Sequence, residues 1–255
     1  MKYLKAFDNH EDYNDWTLGQ GDTSFIRPSV GYCINENEVH FNGKIGQYVN
    51  LGLPSGTLWA TENLKDGNGN DLYFAWGETQ GYTADQIGTD KYFAWEGDNA
   101  DYKYGVYDSG STPNYGMTKY NVTDNLTVLE PDDDAATVLW GENWCIPTEE
   151  QFQELINNTT TSWTTQNGID GMLFTSIANG NTLFFPALGG VDNGNFILSE
   201  SIRGYYWSCY GKIITALHFI IDSGNNVNVS KGDRYVGFSV RPVRYSLSMI
   251  PDPIQ

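Results

Sequence analysis

The chain has 255 residues, enough for one large globular domain with a small accessory segment. Its 40% apolar and 15% aromatic content supplies a core and excludes wholesale disorder. Fourteen basic against 32 acidic residues give a net charge of −18 with no basic cluster to neutralise phosphates, which excludes nucleic-acid binding. The charge is uneven: residues 1–154 hold 26 acidic and 8 basic side chains, whereas 155–255 hold six of each. An acidic body thus carries an electrically balanced final stretch, which suggests two faces with different jobs. No run approaches the roughly 18 apolar residues of a membrane span. The start, Met1 to Asp8, turns polar at once and lacks an apolar signal core, which fits synthesis without a secretion signal if Met1 is native. If Met1 is a scar, a removed signal or lipoprotein anchor stays open. Three cysteines, Cys33, Cys145 and Cys209, make at most one bridge, so packing and not a disulfide framework must hold the fold.

Residues 1–44 read as a separate arm. Asp8 to Trp16 is polar and aromatic, and Val39-His40-Phe41 before Asn42-Gly43 has strand-then-turn chemistry. Phe7, Tyr13, Trp16, Phe25, Ile26, Val39 and Phe41 are too few for a core but enough to line a seam between subunits. A homo-oligomer is expected, a trimer if the protein caps a tail fibre. A single domain then spans 45–246, with a tail at 247–255.

Short strands are expected at Tyr48–Leu53, Leu58–Thr61 and Leu72–Trp76, broken by Pro54-Ser55-Gly56 and by Asp66-Gly67-Asn68-Gly69-Asn70. Residues 80–130 have little periodicity and read as a long ordered loop region, a type that often carries function. Asp132, Asp133 and Asp134 precede an apolar run from Ala135 to Trp140, acids where a helix dipole favours them. A second helix opens at Pro147-Thr148, with Thr148 and Gln151 at capping-box spacing and Phe152, Leu155 and Ile156 on one face. Strands follow at 172–176, 182–185, 205–209, 216–221, 227–230 and 238–243, each bounded by Gly or Asn. Many short strands and two helices predict an α+β fold with antiparallel sheets.

Chemistry-bearing motifs are sparse. The Asp66–Asp71 run opens like a calcium loop, but its sixth and twelfth positions are Asp71 and Gly77, so a hairpin turn is the better account. The three aspartates at 132–134 could hold a cation, though helix capping explains them as well. His10, His40 and His218 have no metal-ligand spacing. Cys145 and Cys209 lack a flanking His and read as structural thiols. No catalytic residue, metal or cofactor is assigned, although the abundant carboxylates leave a glycosidase pair open. Trp76, Trp95, Tyr102, Tyr104, Tyr107, Tyr115, Tyr205, Tyr206 and Trp207 are mostly core, with some left over for a recognition surface of the paratope kind.

A set of ordered blocks then points to a family. These are Tyr48 to Thr61, Tyr73 to Thr79, Asp133-Asp134-Ala135-Ala136, Asn143-Trp144, Pro147 to Glu150, Tyr206-Trp207-Ser208 and Gly237 to Val243. Together they resemble the "major paralogous" surface domains of gut anaerobic bacteria. Those domains are C-type-lectin-like modules related to the formylglycine-generating enzymes and to the variable proteins of diversity-generating retroelements. The resemblance covers about residues 46–245 and implies a C-type-lectin-like fold. Cys145 and Cys209 depart from the family's Arg and Ser, and its enzymes' paired cysteines and calcium site have no counterparts in the chain.

The resemblance places variability just before the closing strand, and the residues there suit display. Trp207, Ala216, Leu217, Phe219, Val227 and Val229 read as frame. The expected binding contacts are Tyr210, Lys212, Ile213, Ile214, His218, Lys231, Asp233 and Tyr235, with Tyr205 and Asn193 at the rim. Adjacent Ile213-Ile214 in a loop suggests contact with a partner, or packing beneath residues 80–130. Diversification acts at adenines and does not yield Lys from AAY codons, so Lys212 and Lys231 would be frame residues or come from another codon. The expected function is non-catalytic binding to a host-cell protein or glycan by a virion- or surface-displayed protein, a diversified phage receptor-binding protein first. A secreted adhesin or pilus-tip lectin comes second, and an enzyme of the formylglycine-generating type third. The expected location is a virion tail or the extracellular surface, without membrane insertion.

Overall fold

In the first unit of the chain, three strands follow one another as antiparallel neighbours: β1 (Gly31–Asn35), β2 (Glu38–Phe41) and β3 (Lys44–Asn50). Cys33 pairs with Val39, and Phe41 pairs with Lys44 across Asn42-Gly43, so the strand expected at 39–41 is present. The computed structural model describes residues 31–35, 38–41, 44–105, 116–197 and 201–245. Phe7, Tyr13, Trp16, Phe25, Ile26, Tyr107 and Tyr115 lie outside the described residues, as does the Asn42-Gly43 turn. The chain divides into compact units at Met1–Tyr48 and Val49–Gln255, a few residues beyond the expected boundary at 44/45.

The second unit is α+β, mostly antiparallel strands in small sheets with two helices. It opens on a turn at Pro54-Ser55-Gly56, where Gly56 takes a φ of 73° and its amide donates to Leu53 O at 2.9 Å. Strand β4 (Thr57–Ala60) follows and pairs with the closing strand β13 (Val243–Tyr245), Trp59 opposite Val243. Helix α1 (Ala135–Trp140) is capped by Asp134, whose side chain accepts from Thr137 N at 3.0 Å. Helix α2 (Glu149–Asn157) carries the expected Thr148/Gln151 capping box and buries Phe152 and Leu155; Ile156 is only half-buried.

Three sheets complete the unit: β5 (Thr159–Gln166) with β6 (Ile169–Ser176) and β7 (Thr182–Pro186); β8 (Gly190–Asp192) with β9 (Asn195–Ile197); and β10 (Arg203–Lys212) with β11 (Thr215–Asp222) and β12 (Asn226–Asp233). Two expected strands are not strands. Residues 72–76 make only isolated bridges, Tyr73 to Tyr82 and Phe74 to Phe238, and of 238–243 only Val243 lies in a strand.

Helix α2 covers one face of the β10–β12 sheet. Phe152 stacks on Phe219 with ring centroids 4.7 Å apart, and Leu155, Trp59, Met172, Phe174, Phe185, Tyr206, Ile221 and Val243 surround them. Each such buried side chain stabilises the fold by about 1.5–3 kcal/mol. The other face meets the irregular region between 72 and 130, which buries charge instead. Lys91 donates to both oxygens of Glu78 at 3.0 and 2.9 Å and to Asp101 O at 2.8 Å, while the Asp101 carboxylate accepts from Tyr92 N and Ala94 N. Arg234 lies against the rings of Trp76, Tyr102, Tyr104 and Tyr120 and donates to Tyr102 Oη and to the carbonyls of Lys119, Tyr120 and Ile213. The loop region is therefore ordered, as expected of residues 80–130 where they are described, by buried ions and not by ladders.

Asp133 adds a correction. It does not simply decorate a helix start: it turns inward and accepts from Lys103 at 2.9 Å, Lys119 at 2.6 Å and Tyr120 at 2.7 Å. Burial would raise its carboxyl, but those donors hold it below the usual carboxylate range. No helix among the described residues is long and apolar enough to cross a membrane, which says nothing of a β-barrel.

Candidate functional site

The last three-stranded sheet changes register in mid-course. Trp207 faces His218 and Gly211 faces Ala216, so Ser208, Cys209 and Tyr210 together stand against Leu217 as a bulge in β10. The bulged residues pair elsewhere. Cys209 N donates to Pro147 O at 2.9 Å, Leu129 N donates to Cys209 O at 3.0 Å, and Gly211 N donates to Thr127 O at 2.8 Å. The strand is thereby tied to the segment before α2 and to residues 127–129. Gly211 permits this approach: a Cβ there would stand 2.5 Å from the Trp76 ring.

Beyond the bulge, Lys212 pairs with Thr215, leaving Ile213-Ile214 as a two-residue hairpin tip. Such turns call for left-handed residues, typically Asn or Gly. Ile213 nonetheless takes a φ of 37°, which crowds its branched Cβ. The tip is held by Arg234, whose Nη1 donates to Ile213 O at 2.6 Å and whose amide donates to Ile214 O at 3.2 Å. Ile213 is half-buried and Ile214 is 40% exposed. Val122 and Val128 are also exposed apolar residues of this region, Val128 forming a bridge to Tyr210.

Next to the bulge lies a cavity of about 290 Å³. Tyr210, Lys212, Leu217 and Lys231 line it from the sheet, Thr127 from the neighbouring loop, and Glu149 and Glu150 from the first turn of α2. Lys212 and Lys231 are exposed and Tyr210 is half-buried. Burial, then the nearby Glu150 carboxylate that accepts a hydrogen bond from the phenol, raises Tyr210 above its ordinary value.

The structure thus brings Tyr210, Lys212 and Lys231 to one cavity, with Ile213 and Ile214 at the adjoining tip. Asp233 and Tyr235 belong to a separate cluster. Tyr235 lies by Trp95, ring centroids 6.3 Å apart, and hydrogen-bonds Asp233. Burial, then Asp192 and Asp233, pushes Tyr235 up to about 12; burial raises Asp233, and burial with Asp233 nearby raises Asp192. Asn193 is exposed beside this cluster, its amide donating to Asp192 Oδ1 at 2.7 Å.

His218 does not line the expected face, and neither does the rim residue Tyr205: each is 5% exposed. The His218 ring sits among Phe238 at 4.9 Å, Tyr205 at 5.8 Å and Trp207 at 6.0 Å. The reason is topological. Strand β11 is central, with α2 and the apolar core on one face and Phe238 on the other, so alternation there does not separate inside from outside. Cys209 and Gly211 are likewise buried, while the expected frame residue Leu217 is half-buried and lines the cavity. Burial pushes the free thiol of Cys145 up to about 12 and raises that of Cys209 further, which makes both poor nucleophiles. Asp66 closes a turn, accepting from Asn68 N at 2.9 Å and Asn70 N at 2.8 Å, as the hairpin account requires. Among the described residues no three His, Cys, Asp or Glu side chains converge as metal ligands would.

Sequence reasoning missed Glu149, Glu150, Thr127 and Leu217. The two acids read only as helix-start residues, and Thr127 reaches the cavity through a bulge that no local pattern announces. A second, more polar cavity of about 520 Å³ lies apart from the expected contacts, lined by Asp71, Tyr73, Thr83, Asp85, Leu188 and Ser201 among others. Comparison of the chain with family models, with curated proteins and with solved structures gave no match in any of the three.

Proposed function

We propose that the chain is a non-catalytic binding protein displayed on a virion or cell surface. In this reading it is built on a C-type-lectin-like domain and serves as a retroelement-diversified receptor-binding protein of a phage tail. The observation that carries the reading is the meeting of Tyr210, Lys212 and Lys231 at one cavity beside the Ile213-Ile214 tip. These side chains differ from one another in chemistry, while Trp207, Phe219 and Arg234 of the same region are fully buried. A rigid frame with exchangeable outward positions suits recognition at low ordering cost. The pairing of the closing strand with β4 near the domain's start agrees with the C-type-lectin-like reading. On the same reading residues 1–44 are an assembly arm and the protein is a homo-oligomer, which light scattering on the full chain tests.

The functional test is binding of the labelled protein to intact cells of gut anaerobic bacteria and to a glycan array. Cell binding that falls at least tenfold in Tyr210→Ala and Ile214→Ala, about 1.4 kcal/mol, supports the reading. Binding that survives both changes refutes it. Glycan binding without cell specificity would favour a secreted adhesin or pilus-tip lectin.

A further inference from the structure

Six lysine side chains are described in the structure, Lys65, Lys91, Lys103, Lys119, Lys212 and Lys231. The first four are in ion pairs, with Glu62, Glu78, Asp133, and Glu130 together with Asp133, respectively. Lys212 and Lys231 form none among the described residues, although the chain carries a net charge of −18. Both line the same cavity, and both reach it from the sheet.

The lining of the same cavity also carries negative charge. Glu149 and Glu150 come from the first turn of α2, and neither is in an ion pair with the lysines. Glu150 also accepts a hydrogen bond from Tyr210. Ala216 and Leu217 line the same cavity. Charges of both signs therefore face a space of about 290 Å³ without neutralising each other. An anion alone would meet the glutamates and a cation alone the lysines. A molecule carrying both charges satisfies both pairs of side chains, and like-charge contact penalises the alternatives.

We propose that this cavity binds a small zwitterion, its anionic group on Lys212 and Lys231 and its ammonium group on Glu149 and Glu150. The inference rests on the reading of this region as a binding face and names the chemistry that face selects. The anionic group can be a carboxylate or a phosphate, since two lysines serve either as point charges.

Calorimetric titration of the full chain separates the sources, with alanyl-alanine as the carboxylate probe and phosphoethanolamine as the phosphate probe. At least one should bind. Its relatives with charge of one sign only, N-acetyl-alanyl-alanine and alanyl-alaninamide, or N-acetyl-phosphoethanolamine, should bind at least tenfold more weakly. Lys212→Gln with Lys231→Gln should reduce the zwitterion to the level of the cation-only relative, and Glu149→Gln with Glu150→Gln to that of the anion-only relative. Failure of both zwitterions to bind, or equal binding of the blocked relatives, overturns the proposal without any variant being needed. The two levels separate cleanly. Loss of cell binding in the lysine pair with no zwitterion bound leaves the receptor-binding reading intact and sinks this one. Zwitterion binding with cell adhesion unaffected by the variants does the reverse.

Discussion

The two faces of the β10–β12 sheet are held by different physics. Under α2, Phe152, Leu155, Phe174, Phe185 and Phe219 form an apolar core of the ordinary kind, in which contact area stabilises and shape decides detail. On the other side, Arg234, Lys91, Glu78, Asp101 and Asp133 order an irregular region among stacked aromatic rings. The contrast shows how a chain rich in Gly, Asn and Tyr keeps long loops in one place. Each buried ion fixes several backbone groups at once, so few regular ladders are needed. The same ions reach the candidate site, because Arg234 holds the hairpin tip.

Phe152→Ala should give the largest effect, a loss of about 4 kcal/mol in urea unfolding, because it empties the centre of the apolar core. Arg234→Met should cost about 3 kcal/mol, since it strips donors from buried carbonyls and from Tyr102. The two variants differ in where they act. Hydrogen exchange should rise across the whole second unit in the first, and selectively at 101–104, 119–121 and 213–214 in the second. Uniform exchange in both would erase the distinction between the two faces.

His218 sharpens the comparison through pH. Burial among three aromatic rings lowers its imidazole from 6.5 to about 4. The folded state therefore binds the proton less readily than the unfolded chain. Stability is fully present above about pH 6.5 and lost as pH falls toward 4, by up to about 3 kcal/mol. Asp71, Asp134, Asp192 and Asp233, all raised mainly by burial, act in the opposite sense near the low end of that window. The readout is accordingly the difference between wild type and His218→Leu, which should lack the His218 component of the slope. Parallel pH profiles would place His218 in contact with water.

A smaller effect of opposite sign is expected at the tip. Ile213→Gly should stabilise the protein by about 1 kcal/mol in thermal unfolding, because glycine takes positive φ without a Cβ clash. A neutral or destabilising result would mean that Ile213 packing outweighs its backbone strain.

Much of the apolar side of the fold was legible in the sequence. The capping box at Thr148 and Gln151 located α2, and Phe152 and Leu155 marked its buried face. Bounding Gly and Asn residues located β6, β7, β10, β11 and β12. Strand β5 was missed because Thr159–Gln166 holds one large apolar residue, Trp163, and is specified by its pairing along the whole length of β6. The charged side was far less legible. That Asp133 turns inward to two lysines, or that Arg234 enters a box of rings, depends on partners more than a hundred residues away for Arg234 and on loops without periodicity for Asp133. Tyr210, Lys212 and Lys231 stand out in the sequence because their chemistry does not suit core positions. His218 stands out on the same ground yet is buried, since a central strand covered on both faces hides the usual alternation.

The proposed binding role sets the cavity and its hairpin tip, which would bind, against the frame beneath them, which would only support. A paired measurement of cell binding and thermal stability for Tyr210→Ala, Lys212→Ala, Ile214→Ala and Lys231→Ala separates the two roles. Ile177→Ala, an exposed apolar position away from the site, serves as the control. Each site variant should lose binding at least tenfold while its stability changes by less than about 1 kcal/mol, and the control should keep both. Variants that lose binding only in proportion to lost stability, or that keep binding as the control does, would contradict the proposed role.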